Sequence, residues 1–209
     1  GLLWSMRALD SSLFITSRGW KSREVVLSAE TAGGARQVTL TRHYPWTGTV
    51  QEEIRQAGLV ANLSYRPVAE PLPVILMLGG WGDGPNPLTA ALLADEGYAV
   101  LNLGYHDWPG TPQRLVEIPI ETVTAAIDWI AQNEKLDGRH VGIYGTSKGA
   151  ELALLAASHG QRFRAVAAWA PSSAVFSGID YRDPTPGSSW TLGGRPLPFF
   201  KNFYAGGPG

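Results

Sequence analysis

Short runs in which apolar and polar residues alternate fill the first third of the chain. A period of two is typical of half-buried antiparallel strands, whose side chains point alternately to the two faces of a sheet. No long helical pattern interrupts these runs, so they predict a small β-sandwich over residues 1–66. The alternating runs are residues 24–28, 36–41 and 59–65.

Residues 67–73 contain three prolines and break this alternation. Proline-rich segments are stiff and extended, and they often connect domains. We therefore predict that residues 67–73 are a linker between the sandwich and a second domain.

Unbroken apolar runs alternate with helical patterns after this linker. Such runs are typical of parallel strands that helices cover on both faces. The pattern predicts an α/β domain over residues 74–209, incomplete at its C-terminal end. Residues 171–209 are rich in Gly, Pro and Ser without periodicity, which favours a loop or lid region. The predicted strands are residues 74–78, 98–103, 140–144 and 165–169, and the predicted helices are residues 88–96, 118–132 and 147–158.

The composition excludes several classes of function. Hydrophobic residues make up 44% of the chain and charged residues 17%, with a net charge of −1. This balance is that of a globular protein and gives no basic surface for nucleic acid or anionic lipid.

The chain contains no cysteine. Disulfides, thiolate zinc sites and a cysteine nucleophile are therefore excluded. A reducing compartment is compatible with this composition, and a cytoplasmic location is the expectation. No apolar run reaches the ~18 residues that a membrane-spanning helix needs. The composition gives no indication of the oligomeric state.

Residues 145–149 read Gly-Thr-Ser-Lys-Gly and match Gly-x-Ser-x-Gly, the nucleophile-elbow motif. The pentapeptide is short enough to arise by chance, so its context decides. A predicted strand precedes it and an Ala- and Leu-rich helix follows, as the motif requires. Side chains at Gly145 and Gly149 would obstruct so sharp a turn. Ser147 is therefore predicted to be the catalytic nucleophile of a serine hydrolase with the α/β-hydrolase fold.

Acyl transfer from such a serine needs N–H groups that stabilise the oxyanion. The backbone N–H of Lys148 is one predicted donor, since it follows the nucleophile. The second is predicted from the glycine-rich run after the first strand of the sheet, where Trp81 is favoured and Gly82 is the alternative. Gly80 and Asp83 of the same run are candidate substrate contacts. No metal or bound cofactor is required for this chemistry.

The Lys148 side chain is unexpected, because a cation in the first turn of a helix opposes the helix dipole. It has three possible roles: contact with a phosphate-bearing substrate, a solvated side chain, or an ion pair with Glu151 at the i,i+3 spacing.

A catalytic serine also needs a histidine base, which in α/β-hydrolases follows both the serine and an acidic residue in the chain. Only His159 follows Ser147, and it ends the helix that Ser147 begins. His43 lies in the predicted sandwich, His106 follows a predicted strand, and His140 begins the strand that leads to Ser147. We therefore expect the triad Asp and His to lie outside these 209 residues.

Four segments resemble the acyl-CoA thioesterase / bile acid-CoA:amino acid N-acyltransferase family. The resemblance implies an N-terminal immunoglobulin-like sandwich, an α/β-hydrolase domain and an acyl-CoA substrate. The segments are Gly-Leu-Leu-Trp-Ser-Met at residues 1–6, Gly-Trp-Gly-Asp-Gly at 80–84, residues 92–100, and Gly-Ile-Tyr-Gly-Thr-Ser-Lys-Gly-Ala-Glu-Leu at 142–152.

Members of this family carry a Ser or Cys nucleophile, followed by Asp and His. Ser147 matches the nucleophile, and a serine resembles the hydrolytic branch, since the amino-acid-transferring branch typically uses Cys. Trp81 and Asp83 stand where the family has small residues, which leaves the acyl-chain preference open.

Three alternatives remain at this point. A carboxylesterase, dienelactone hydrolase or peptidase has the same fold, and an acyl-CoA:amino acid N-acyltransferase belongs to the same family. If the native chain ended near residue 209, a non-catalytic binding module would be the alternative. We expect the 209-residue piece alone to be inactive and to expose an apolar sheet edge at residues 165–169.

Overall fold

A computed structural model describes residues 23–42, 48–160, 163–183 and 185–201. The chain divides into two compact units, residues 1–47 and 48–209. The described part of the first unit is an antiparallel hairpin of β1 (Arg23–Thr31) and β2 (Gly34–Arg42). Two of the predicted alternating runs thus form paired strands. The immunoglobulin-like sandwich stays a prediction, because residues 1–22 and 43–47 lie outside the described residues.

The second unit is built on a six-stranded mixed sheet. Its order is β3-β4-β6-β5-β8-β9, and the last four strands in this order run parallel. β3 and β4 add an antiparallel pair at one side. The strands are β3 (Val50–Gln56), β4 (Leu59–Tyr65), β5 (Leu72–Leu78), β6 (Ala99–Gly104), β8 (Leu136–Thr146) and β9 (Ala165–Trp169); β7 (Ile118–Pro119) lies outside this sheet.

Helices cover both faces of this sheet, as the apolar runs predict. Met77 of β5 packs against α1 (Pro87–Asp95), whereas its neighbours Leu76 and Leu78 belong to the larger core that includes residues of α2 (Glu121–Gln132) and α3 (Lys148–Ser158). A strand covered on both faces has no polar face, which explains its unbroken apolar sequence.

The proline-rich stretch is not where the chain divides. The alternating strand β4 pairs with β6 through residues such as Asn62 and Asn102, so it belongs to the large sheet. Leu72 and Pro73 already lie in β5. Alternation predicts a strand but carries no information about its partner, so the predicted assignment of residues 48–66 to the sandwich is wrong.

The segment after β9, residues 171–183 and 185–201 (the post-β9 segment), is more ordered than its composition predicts. β10 (Trp190–Leu192) and β11 (Arg195–Pro196) form a small sheet with β7. The predicted helix at residues 118–132 starts only at Glu121, because Ile118 and Pro119 pair with β10. Strands of two or three residues are too short to show a period.

β9 lies at the edge of the sheet within the described residues, as predicted. Val166 is 41% exposed and Trp169 is 69% exposed. An apolar edge is therefore accessible in this part of the structure.

The turn from β8 into α3 brings backbone unusually close to backbone. A Cβ atom at Gly149 would overlap the carbonyl groups of Leu78 and Gly79 at the end of β5. A Cβ atom at Gly145 would lie 2.7 Å from the Cα atom of Ala150. Only glycine fits at both positions, which confirms the steric reason for the motif's spacing.

We expect Gly149→Ala to lower the free energy of unfolding by about 1–3 kcal/mol, because the added methyl group meets rigid backbone. Gly142→Ala is the matched control, since its Cβ would be 3.7 Å from the nearest atom, an ordinary contact. We expect the control to change the free energy of unfolding by less than about 1 kcal/mol. Denaturant unfolding of both variants checks this, and equal losses would contradict the steric argument.

Candidate active site

Ser147 occupies the turn between β8 and α3 as the N-cap residue of the helix. Its backbone has φ 53° and ψ −117°, a region that residues with side chains rarely adopt. Its N–H donates to the carbonyl of Trp169 at 2.9 Å, and its own carbonyl accepts from the N–H of Ala150 at 3.0 Å. The Ser147 side chain is exposed and makes no capping hydrogen bond. This strained turn presents a hydroxyl to solvent at the carboxyl edge of the sheet.

The loop after β5 lies directly beside Ser147. A Cβ atom at Gly80 would be 3.2 Å from the Cβ atom of Ser147. The Gly80 N–H donates to the Asp83 carboxylate at 2.7 Å, and the Asp83 N–H donates back to the Gly80 carbonyl at 3.3 Å. Asp83 thus shapes the loop, and the Gly80 amide is already engaged. Gly82 has a positive φ of 74°.

Trp81 follows Gly80 in this loop and is 39% exposed. Its ring meets the ring of Tyr181, a residue of the post-β9 segment, edge to face at a centroid distance of 4.9 Å. Tyr181 is itself 82% exposed. Two exposed aromatic rings therefore contact each other, and one of them belongs to the loop that lies beside Ser147.

The Lys148 side chain is buried, so the interpretations as a solvated side chain or a phosphate contact are wrong. Its Nζ donates to both Glu151 carboxylate oxygens at 3.2 Å and to the Ser189 hydroxyl at 2.7 Å. The i,i+3 ion pair is thus confirmed. Burial lowers the pKa of Lys148, while Glu151 opposes that shift.

Two buried residues follow β6 at the same edge of the sheet. The Tyr105 hydroxyl donates to the carbonyl of Gly79, and burial raises the pKa of Tyr105. Burial lowers the pKa of His106, which favours neutral imidazole. His106 Nε2 has no hydrogen-bond partner, and among the described residues it is the one buried side-chain nitrogen or oxygen atom of which this is true. The sequence places His106 after a predicted strand, whereas no sequence signal singled out Tyr105.

The other described histidines lie away from Ser147. His140 lies in the first half of β8, and its Nδ1 is 2.7 Å from Asp137. His159 caps the far end of α3 and is exposed. Both positions agree with the prediction, whereas His43 lies outside the described residues.

A surface cavity of about 550 Å³ lies at the amino ends of the parallel strands, away from the turn at Ser147. Leu136 and Arg139, at the beginning of β8, line it. It shares no residue with the turn at Ser147.

Within the described ranges no cluster of His, Asp or Glu side chains is arranged to hold a metal ion. None of the helices described is long and apolar enough to cross a membrane.

Residues 58–187, more than half of the chain, match the family model described as X-Pro dipeptidyl-peptidase (S15 family). This region contains both the loop after β5 and Ser147. A solved acetyl xylan esterase from Paenibacillus sp. R4 superimposes with a TM-score of 0.50 and 17% identity, over 75% of this chain and 55% of that chain. That likeness supports the fold alone, and the predicted α/β-hydrolase fold is confirmed.

Curated relatives confirm the predicted resemblance. The mitochondrial acyl-coenzyme A thioesterase 2 of Mus musculus is 30% identical over 88% of this chain and 43% of its own length. Acyl-coenzyme A thioesterase 1 of Mus musculus is 30% identical over 88% of this chain and 46% of its length. The chain thus spans less than half the length of these relatives. It belongs to the S15 family, of α/β-hydrolase fold, and is related to the acyl-CoA thioesterases.

Proposed function

We propose that the protein hydrolyses acyl-CoA thioesters through an acyl-enzyme on Ser147. One observation carries this proposal: an exposed serine at positive φ lies on a strand-to-helix turn beside the Gly80 loop. On the α/β-hydrolase fold, such a turn brings a nucleophile and backbone N–H groups to the same carbonyl group, which supports this proposal. The thioesterase relatives support a thioester as the substrate.

In the proposed reaction, Ser147 Oγ attacks the thioester carbonyl carbon and passes its proton to a general base. The tetrahedral intermediate collapses and the C–S bond breaks, so CoA leaves as the thiol after taking up that proton. Water then attacks the acyl-serine ester, releases the carboxylic acid and restores the hydroxyl. Each half-reaction passes through an oxyanion that must be stabilised.

We propose the N–H groups of Lys148 and Trp81 as the oxyanion donors. Lys148 is the first residue of α3, so its amide also lies at the positive end of the helix dipole. The Gly80 amide donates to Asp83, which leaves the next amide along the loop, that of Trp81, as the favoured donor. Gly82 is the alternative.

The general base and the carboxylate that orients it are proposed to lie outside these 209 residues. Among the described histidines, His140 and His159 lie away from Ser147, and His106 precedes it in the chain, against the usual order. The relatives are about twice as long as the matched region, which leaves length for both groups.

A cytoplasmic location also stays a prediction, because one relative is named as mitochondrial.

A peptidase is the second candidate, because the matching family model carries the description X-Pro dipeptidyl-peptidase. Thioester, ester and amide carbonyls all react through the same nucleophile and oxyanion. A substrate panel of acyl-CoA, p-nitrophenyl esters and X-Pro anilides, at equal concentration, separates the candidates. We expect the highest kcat/KM with acyl-CoA, and a preference for the anilides would favour the peptidase.

We expect Ser147→Ala to lower kcat for acyl-CoA hydrolysis by about 10³-fold or more, because the acyl-enzyme can no longer form. Thiol release, followed with a chromogenic disulfide on the protein expressed from its complete reading frame, measures this. Ser158→Ala is the matched control, since Ser158 lies at the other end of α3. Turnover in Ser147→Ala equal to that of the control would contradict the proposal.

We expect Trp81→Pro to lower kcat by about 10²–10³-fold, because proline deletes the N–H that stabilises the oxyanion. Trp81→Ala keeps that N–H, so we expect a loss of less than about tenfold. Equal thermal midpoints for the two variants would show that the loop tolerates proline. If Trp81→Pro then keeps the kcat of Trp81→Ala, the donor is not Trp81, and Gly82 becomes the candidate.

A further inference from the structure

Glu151 is a carboxylate only 3% exposed, one helical turn after Ser147. Its Oε1 accepts from the indole N–H of Trp190 at 2.6 Å and from the backbone N–H of Phe176 at 3.4 Å. Its Oε2 accepts from the Ser172 hydroxyl, and both oxygens are 3.2 Å from Lys148 Nζ. A buried charge persists only with such a set of partners.

Three of these four partners come from the post-β9 segment, not from α3. Lys148 adds a further link to that segment, because its Nζ donates to the Ser189 hydroxyl. Ser189 Oγ in turn lies 2.9 Å from the carbonyl of Phe176 and 3.1 Å from that of Ser177. The Lys148–Glu151 pair therefore joins the first turn of α3 to a segment up to about 40 residues further along the chain.

The same turn holds Ser147 in its strained conformation. The Glu151 N–H donates to the Ser147 carbonyl at 3.1 Å, and the Ser147 N–H donates to Trp169, three residues before Ser172. Strained backbone of this kind persists only when its surroundings over-determine it. The Glu151 carboxylate is bound to both flanks of the turn, α3 on one side and the chain leaving β9 on the other.

We propose that Glu151 is a positioning residue, which holds the turn that presents Ser147 through its carboxylate contacts with Lys148, Ser172 and Trp190. This inference rests on the proposed nucleophilic role of Ser147. Glu151 itself points into the protein and is buried, so it acts through the turn and not on substrate.

The test is Glu151→Gln in the protein expressed from its complete reading frame. We expect kcat for acyl-CoA to fall about 10- to 100-fold, because the amide leaves the Lys148 cation buried without a counter-charge and loosens the turn. KM should change less than about threefold, because Glu151 does not contact substrate. The rate at which a fluorophosphonate probe labels Ser147 should fall in parallel with kcat. Glu134→Gln, at an exposed position, is the matched control and should behave as wild type.

A double variant separates positioning from a general loss of folding. Lys148→Met with Glu151→Gln removes both buried charges, so we expect it to recover at least threefold in kcat over Glu151→Gln alone. Ser172→Ala removes one half-buried donor to Glu151 and should lower kcat about 3- to 10-fold when assayed well below its thermal midpoint, where the variant is fully folded.

Two results would overturn the inference. One is a folded Glu151→Gln enzyme with wild-type kcat and labelling rate. The other is a Ser172→Ala or double variant whose change in kcat is fully accounted for by its change in thermal midpoint. That result is expected of a contact that only stabilises the fold. Ser147→Ala in the same assays keeps the two claims apart: if it retains turnover the proposed function fails, and if only Glu151→Gln retains turnover the positioning role fails.

Discussion

The candidate site depends on how closely the first turn of α3 packs against the ends of β5 and β8. Gly149 lies against the carbonyl groups of Leu78 and Gly79, and Gly145 against the backbone of the same helical turn. No side chain fits at either position, so the chain turns sharply and Ser147 takes a positive φ. That conformation exposes the hydroxyl at the carboxyl edge of the sheet and brings Gly80 beside it. Backbone packing thus creates the exposure that a nucleophile needs.

The strained turn at Ser147 is held in place by neighbouring contacts, and a buried ion pair provides part of them. A lysine in the first turn of a helix opposes the helix dipole, yet Lys148 is buried against Glu151. The desolvation of two charges is offset only because Ser172, Ser189 and Trp190 complete their hydrogen bonds. Burying an apolar pair would cost less desolvation free energy, but an apolar pair would not fix the position of the post-β9 segment through directed hydrogen bonds.

The sequence predicted the parallel strands and the turn well, because both depend on local chemistry. Strands buried on two faces must be apolar throughout, and a sharp strand-to-helix turn must have its glycines. It could not predict that β4 pairs with β6, since alternation is the same in either sheet. The burial of Lys148 and Trp190 was missed as well, because it depends on contacts between residues far apart in the chain. Lys148 donates to Ser189, and Trp190 donates to Glu151.

The most direct test of the central claim is mass spectrometry of the protein quenched in acid during steady-state turnover of an acyl-CoA. The account predicts that the peptide containing Ser147 gains the mass of the acyl group, and that this adduct disappears when the substrate is exhausted. Turnover with no adduct on that peptide in rapidly quenched samples, or an adduct on another residue that disappears at the catalytic rate, would contradict it.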